Sequence, residues 1–182
     1  MQKHIYIVRH GETDYNFQGI CQGQKCNIGL NEKGKKQAEE LSVKLNQYVA
    51  NLGVEYIKLH NLHWNVVGIN FKAIHEYLEG LYDGITESLD KVAELLKMHE
   101  VVPAASLKEY LELSSIEELP SVEVHGKEAL EVVLKDFVSF KQLGEEIRSL
   151  ANQEGLYDVV SAMEDDLGEF NKSIWFIKAM LK

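Results

Sequence analysis

Proline and cysteine are both scarce in this chain, with two of each among its 182 residues. The cysteines, Cys21 and Cys26, have no second pair with which to complete a zinc site. We therefore expect free thiols in a reducing compartment, and the cytoplasm is the simplest choice. The prolines, Pro103 and Pro120, lie in one region between long periodic segments. Their absence elsewhere favours long helices, because proline interrupts a helix interior.

Long hydrophobic runs are also absent. No stretch reaches the roughly 18 apolar residues that a membrane-spanning helix needs, so we expect no membrane span. Arg9, His10 and Glu12 interrupt the one early apolar run, so no signal peptide is expected either. The apolar fraction of 45% is nevertheless enough for a packed core at this length.

Positive charge is the third shortage, since 19 basic residues face 29 acidic ones and the net charge is −10. Residues 1–44 carry seven basic and five acidic side chains, whereas the remainder carries twelve and twenty-four. A surface this acidic repels phosphate backbones and attracts metal cations. DNA is therefore not an expected partner, whereas metal cations are.

Apolar residues recur at intervals of three, four or seven over most of the chain, which is the period of an α-helix. Asn31 and Asn70 are suited to cap helices, and Gly155 is suited to end one. The sequence predicts four long helices and a short one in the linker, at about 35–66, 71–98, 107–113, 123–152 and 156–180. This pattern predicts an all-α, antiparallel four-helix bundle whose long linker crosses the bundle.

Two apolar stripes are the predicted contribution of the first two helices to the core. They are Leu41, Leu45, Tyr48, Leu52, Leu59 and Leu62 in the first helix, and Ile74, Leu78, Leu81, Ile85, Leu89, Val92 and Leu96 in the second.

The opening stretch IYIVRHGETDYN, residues 5–16, predicts a short strand over 4–8 followed by a loop. With QGQKCNIGLNEKGKKQAEEL it resembles the start of the histidine phosphatase and phosphoglycerate mutase family, over residues 4 to about 41. The resemblance implies that His10 is the nucleophile and Arg9 a phosphate ligand. The second arginine, acid and second histidine of that family have no counterpart, because His125 precedes helical sequence and reads as a surface residue. We therefore expect no phosphatase activity.

Imidazole and carboxylate groups recur on one face of the second predicted helix. His75 and Glu79 are four residues apart, and so are Asp90 and Glu94. Such pairs are common on solvated helix faces; the whole set, with His63 at the end of the preceding helix, suits iron. About 16 Å separates Glu79 from Asp90 along the axis, too far for one ion. A second copy of the chain in a two-fold dimer could supply the missing carboxylates.

The run HNLHWNVVGINFKAIHEYLEGLYDGITESLDKVAE, residues 60–94, is similar to the Dps, or mini-ferritin, family. The similarity continues through LKEYLELSSI and KSIWFIKAML, and it covers about residues 41–182. It implies a ferritin-like bundle, oxidation of Fe(II) by hydrogen peroxide and a dodecameric, iron-storing shell. The implied ferroxidase ligands, shared between subunits, are His63, His75, Glu79, Asp90 and Glu94, with glutamate at 79 where the family usually has aspartate.

The two resemblances meet inside one helix, which predicts a non-catalytic segment over residues 1–40 ahead of the bundle at 41–182. Trp64 and Trp175 are predicted to be packing residues, with Trp64 beside a ligand. His60 is predicted to lie at the surface, with accessory ligation as the alternative, and the acidic run at 164–166 either lines an ion entry pore or forms an exposed turn. A second hypothesis makes the bundle an oligomeric scaffold that displays the N-terminal segment to a phosphate ligand or a partner.

Overall fold

The computed structural model describes residues 32–182, which are almost entirely helical. The helices are α1 Glu32–Asn65, α2 Phe71–Met98, α3 Leu107–Leu113, α4 Gly126–Glu154 and α5 Tyr157–Met180, and the strands are β1 Val66–Val67 and β2 Val124–His125. The strand predicted at 4–8, like Arg9 and His10, lies outside the described residues. Among the described helices, none combines the length and apolar character needed to cross a lipid bilayer.

The pairing of β1 with β2 fixes the directions in which the long helices run. β1 directly follows α1, β2 directly precedes α4, and the two strands are parallel, with Val66 opposite Val124. The end of α1 and the start of α4 therefore meet at one end of the bundle, where α2 also starts. Because α2 and α4 then run in the same direction, the connection between them must return along the bundle. This confirms the predicted antiparallel four-helix bundle with a crossover.

The core is formed by the predicted stripes. All six α1 residues of the first stripe are buried, and in α2 only Leu81 and Leu89 are partly exposed. α4 and α5 add aromatic rings, since Phe140 stacks on Phe170 with 5.0 Å between ring centroids. Tyr48 of α1 meets Phe140 edge-on at 5.6 Å, which joins the two helix pairs into one core.

The crossover helix α3 is short but well specified. Ser106 and Glu109 form a capping box at its start, in which each side chain bonds the other residue's backbone N–H. The ring of Tyr110 packs directly onto the backbone of α1 at Gly53, where an added Cβ atom would collide with it. Only glycine at position 53 therefore allows α3 to lie this close to α1.

The helix ends agree with the predictions in part. Gly155 ends α4 in the left-handed conformation, with φ of 73°, as predicted. Asn70 occupies the N-cap position of α2 as predicted, but its side chain makes no capping hydrogen bond. Instead, the Phe71 N–H donates to the carbonyl of Gly68, whose φ of 116° suits glycine. α4 begins at Gly126, not at 123, because Val124 and His125 pair with β1.

One carboxylate of the interior, Asp166, is surrounded by donors. The Tyr48 hydroxyl donates to its Oδ2 at 3.2 Å, the Ser88 hydroxyl donates to Oδ1 at 3.0 Å, and Lys91 Nζ lies 2.5 Å from Oδ1. Burial and the nearby Asp166 carboxylate raise the pKa of Tyr48 well above its usual value.

A second interior cluster lies between α1 and α4. Lys58 Nζ is 2.5 Å from Asp136 Oδ2, and both side chains are almost completely buried. Glu55 is fully buried beside them, and its oxygens receive no hydrogen bond within residues 32–182. Burial, followed by the charge of Asp136, raises the pKa of Glu55 well above its usual value. The direction of this shift favours the neutral form of Glu55 beside the Lys58–Asp136 ion pair.

Candidate metal centre

The turn between α1 and α2 brings the three predicted ligands nearest to it together. His63 lies in the last turn of α1, and His75 and Glu79 lie in the first part of α2. One potential ligand atom from each residue lies within 4.8 Å of the corresponding atoms of the other two. These three side chains, called here the histidine–carboxylate group, are the candidate metal centre of the described chain.

The two histidines fix one another. His63 Nδ1 is 2.9 Å from the carbonyl oxygen of His75, and His75 Nδ1 is 2.8 Å from the carbonyl oxygen of His63. A carbonyl can only accept, so each Nδ1 carries a hydrogen, and in a neutral imidazole the free lone pair is then on Nε2. The rings also stack, with centroids 3.7 Å apart. This arrangement selects the tautomer that a metal ion requires.

Burial decreases across the group. His63 is buried, His75 is half-buried and Glu79 is exposed, so the group opens to the surface on the side of Glu79. Two imidazoles and one carboxylate are a ligand set for iron, and they leave coordination positions free for further ligands.

Asp90 and Glu94 are exposed on α2 and do not belong to this group. They follow Glu79 on the same helix by eleven and fifteen residues, so about 16 Å or more of helix separates them from the group. Within residues 32–182, neither carboxylate forms an ion pair or a hydrogen bond. The structure thus brings together three of the five predicted ligands, and leaves the other two free on the same helix.

Aromatic rings enclose the inner side of the group, and Tyr82 is the one that sequence reasoning missed. Its ring meets His63 edge-on, with 5.3 Å between centroids, and stacks on His60 at 3.9 Å. Partial desolvation, and then the charges of Glu79 and Asp83, raise the pKa of the Tyr82 phenol. The signal was present in the sequence, because Tyr82 follows Glu79 by three residues and so shares its face of the helix.

The exposure of the two tryptophans and of two further histidines tests other predictions. Trp64 and Trp175 are about two-thirds exposed, so their prediction as packing residues is wrong for the described chain. His60 is half-buried among aromatic rings and is not simply a surface residue. His125 is exposed at the start of α4, as predicted.

The acidic run at 164–166 divides into residues with different environments. Asp166 is interior, and Glu164 Oε1 accepts from Arg148 Nη2 at 2.6 Å. Asp165 is exposed. Because Asp166 is held by three donors inside the bundle, a pore lined by all three acids is excluded.

A four-helix bundle with one crossover and a histidine–carboxylate group at the junction of its first two helices defines a class of helical proteins with a candidate metal centre. The sequence profile of the ferritin-like domain matches residues 43–182. The chain therefore belongs to the ferritin-like family.

Similar proteins agree with this assignment. Antigen TpF1 of Treponema pallidum is 37% identical over 158 residues, which cover 85% of this chain and 89% of the antigen. Its crystal structure gives a TM-score of 0.79 at 38% identity and covers 81% of this chain and 94% of that one. The DNA protection during starvation protein of Brevibacillus brevis is 35% identical over 145 residues, covering 78% of this chain and 95% of its own.

A third similar protein has a solved structure whose description states its metal chemistry. The crystal structure of the DPS protein from Vibrio cholerae O1 gives a TM-score of 0.77 at 26% identity, covering 89% of this chain and 99% of that one. That protein is described as a member of a broad superfamily of ferritin-like diiron-carboxylate proteins. The predicted resemblance to the Dps family is therefore confirmed.

The N-terminal resemblance also has a counterpart. The profile of the histidine phosphatase superfamily (branch 1) matches residues 5–57. It overlaps the ferritin-like match over residues 43–57, all of which lie inside the continuous helix α1. Residues 32–57 of the phosphatase match are thus part of the helical bundle. Within the described residues the only sheet has two strands of two residues each, so the chain from residue 32 offers no sheet on which a phosphatase site could be completed.

Proposed function

We propose that this protein oxidises Fe(II) and stores the product, with iron as substrate and cargo. The histidine–carboxylate group carries the proposal, because two imidazoles held by backbone hydrogen bonds and one exposed carboxylate bring potential ligand atoms together. Membership of the ferritin-like family and similarity to a protein described as a ferritin-like diiron-carboxylate protein support iron as the metal.

The remaining ligands are proposed to come from a second copy of the chain. Asp90 and Glu94 are exposed and have no partner within residues 32–182, although they lie on the same helix as His75. If two α2 helices pack antiparallel about a two-fold axis, each presents its carboxylates to the other's histidines. Two complete sites per dimer result, each with its ligands from both chains.

Exposed apolar side chains support such a dimer. Ile57 and Trp64 of α1 are exposed one heptad apart on one face of the helix, and Leu107 and Leu111 of the crossover helix are also exposed. Exposed apolar side chains that lie together mark an interaction surface. We propose that the face of α1 with Ile57 and Trp64 takes part in the dimer contact, and that dimers assemble further into a dodecameric shell.

The chemistry follows from the ligand types. Imidazole nitrogens bind Fe(II), and the carboxylates stabilise the higher charge of Fe(III) after oxidation. With hydrogen peroxide as the proposed oxidant, two Fe(II) ions each lose one electron, and the peroxide takes up two electrons and two protons to give two water molecules. The net charge of −10 favours entry of cations and retention of Fe(III).

The same charge bears on DNA. The Brevibacillus brevis relative is named for DNA protection during starvation. In this chain the excess of acidic residues opposes direct contact with DNA. We propose that any protection comes from removal of Fe(II) and peroxide.

The alternative, a scaffold that displays an N-terminal phosphate-binding segment, draws on the phosphatase match over residues 5–57. It predicts phosphate binding that His10→Ala abolishes, with no dependence on His63 or His75. Phosphomonoester hydrolysis lost in His10→Ala would overturn our expectation that the segment is not catalytic.

The experiment is anaerobic loading with Fe(II), followed by peroxide, with the rate of Fe(III) formation as readout. His63→Ala/His75→Ala and Asp90→Ala/Glu94→Ala should each reduce the rate by at least tenfold, on the order of the loss expected when ligands are removed. Matched controls remove the same groups elsewhere: His99→Ala/His125→Ala for the imidazoles, and Glu76→Ala/Glu87→Ala for two exposed carboxylates of α2. Wild-type rates in either ligand double variant would refute the assigned centre.

Mixing tests whether the site is shared. Subunits of the two ligand double variants, dissociated and reassembled together, form hybrid dimers with one complete site and one empty site. Random pairing gives about one quarter of the wild-type number of sites. No recovery, in a mixture shown by mass to contain hybrids, would place all ligands of a site on one chain.

A further inference from the structure

Tyr82 stands between two histidines that have different positions in the site. On one side its ring edge faces His63, with 5.3 Å between centroids and 89° between planes. On the other side its face stacks on His60 at 3.9 Å and 24°. Tyr82 therefore fills the space between a candidate ligand and a histidine that is not in the histidine–carboxylate group.

His60 is itself held in place. Its Nδ1 lies 2.8 Å from the carbonyl oxygen of Tyr56, one turn earlier in α1, and its ring contacts the ring of Tyr56 at 4.4 Å. Trp64 meets it edge-on at 5.2 Å. A ring held by a backbone hydrogen bond and by two aromatic contacts besides Tyr82 is a rigid support for the Tyr82 ring that stacks on it.

The support bears on the geometry of the metal ligands. The hydrogen bond from His63 Nδ1 fixes the tautomer, but a single hydrogen bond still permits the ring to tilt about it. The stack with His75 restrains one face of His63, and Tyr82 is the edge contact that α2 supplies beside it. Because Tyr82 follows His75 by seven residues on one rigid helix, it ties the His63 ring to the helix that carries the other two ligands.

We propose that Tyr82, which stacks on His60, is a positioning residue that holds the His63 ring at the angle at which its ligand nitrogen lies close to the ligand atoms of His75 and Glu79. The proposal rests on the proposed metal-binding function. It assigns His60 a supporting role and gives the aromatic ring of Tyr82, not its hydroxyl, the effect on the metal.

The test uses the assembled protein and Co²⁺, whose absorption spectrum reports ligand geometry. We compare Tyr82→Leu, which removes the ring, with Tyr82→Phe, which keeps it, and with His60→Leu, which removes the support. The matched control is Tyr77→Leu, since Tyr77 is also half-buried on α2 but faces α5, where its hydroxyl reaches the carbonyl of Ser173. Co²⁺ affinity and thermal stability are measured for each variant.

Tyr82→Leu and His60→Leu should bind Co²⁺ about tenfold more weakly than wild type and show an altered spectrum, the size typical of lost outer support at a metal site. Tyr82→Phe should restore affinity to within about threefold and restore the spectrum. Tyr77→Leu should lower stability without changing either. If Tyr82→Leu fails to fold, His60→Leu decides the matter alone.

Failure of the proposed function and failure of the positioning role give different results. Wild-type protein that binds no Co²⁺ at the histidines, with His63→Ala/His75→Ala unchanged, overturns the proposed function. If wild type binds Co²⁺ but Tyr82→Leu and His60→Leu match Tyr77→Leu in affinity and spectrum, the positioning role is wrong and the metal centre stands. If Tyr82→Phe is as weak as Tyr82→Leu, the hydroxyl acts and not the ring, which also overturns the proposal.

Discussion

Carboxylates inside the bundle and carboxylates on the outer face of α2 differ in whether the chain supplies them with a partner. Asp166 and Asp136 are buried, and each lies 2.5 Å from a lysine Nζ of the same chain. Glu79, Asp90 and Glu94 are exposed, and none of them forms an ion pair or accepts a hydrogen bond within residues 32–182. Asp166 and Asp136 therefore have their partners within the chain, whereas the three outer carboxylates have none within residues 32–182.

This difference separates carboxylates that stabilise the fold from carboxylates that are available to bind a metal ion. A buried charge without a partner is costly, so the chain must supply Lys91 and Lys58 where it buries Asp166 and Asp136. An exposed carboxylate is hydrated and needs no partner, which leaves it free to bind a cation when a second ligand set approaches. Removal of an interior acid should therefore change stability, and removal of an outer acid should change only metal binding.

The largest expected effect is that of Asp166→Ala. It leaves the Tyr48 hydroxyl buried without an acceptor and Lys91 without its partner, which together should cost about 3 kcal/mol of unfolding free energy. The figure is at the lower end for a broken buried pair, because the Lys91 side chain is 36% exposed and can be hydrated. Urea unfolding at fixed protein concentration measures the change.

Asp90→Ala/Glu94→Ala is the matched comparison from the outer face. It should change stability by no more than about 0.5 kcal/mol while it lowers the rate of iron oxidation at least about tenfold. A loss of stability comparable to that of Asp166→Ala would mean that the outer carboxylates have structural partners, and the contrast between the two groups would fail.

The interior half of this contrast was only partly accessible from the sequence. Helical periodicity predicted the bundle and its core stripes, because apolar burial imposes the same spacing wherever it occurs. The burial of Asp166 was not predicted, since the run at 164–166 looks like a solvated acidic turn. Its donors Tyr48, Ser88 and Lys91 are 75 or more residues away in sequence, and only tertiary packing brings them to it.

Glu55 extends the comparison, because it is an interior acid on which the charge of another acid, Asp136, acts more strongly than that of Lys58. Its folded-state pKa is raised above its unfolded value, so the stability it contributes is fully present below the unfolded pKa, near 4.5. That contribution is lost as the pH rises through the folded pKa. Glu55→Gln mimics the protonated form and should unfold at a higher temperature than wild type, by a margin that grows from pH 5 to pH 8.

Glu76→Gln provides the control for that pH series, since Glu76 is exposed on α2 and should show no such trend. If the margin between Glu55→Gln and wild type were constant over this pH range, Glu55 would not be a protonated acid in the folded protein.

A smaller effect is expected from Tyr48→Phe, which keeps the ring contact with Phe140 and removes only the hydroxyl that donates to Asp166. Asp166 retains Ser88 and Lys91, so the loss should be about 1 kcal/mol, the size of one hydrogen bond. In Asp166→Ala the same substitution should cost nothing or even stabilise, because the hydroxyl then has no acceptor. Equal losses in both backgrounds would show that the hydroxyl does not act through Asp166.

The candidate centre was predicted better by residue type than by geometry. The spacing of histidines and carboxylates singled out five candidate residues, and the Dps resemblance implied the same five as ligands. The structure brings His63, His75 and Glu79 together. The mutual hydrogen bonds of the histidines depend on backbone carbonyls, which side-chain patterns do not describe. Trp64 is about two-thirds exposed, which its apolar residue type alone could not predict.

The smallest effect concerns an acidic residue whose cost lies in its backbone and not in its charge. Glu100 follows α2 with φ of 61°, the one non-glycine residue among 32–182 that has a positive φ. A residue with a side chain at this φ destabilises the folded state by about 1–2 kcal/mol, and glycine removes that strain. Glycine also makes the unfolded state more flexible, so part of the gain in stability is lost. Glu100→Gly should therefore stabilise the protein by about 0.5 kcal/mol, and Glu100→Gln, which removes only the charge, should not. If Glu100→Gln stabilised as much as Glu100→Gly, the charge of an exposed carboxylate would affect the stability of the fold. The distinction between interior and exposed acids would then fail.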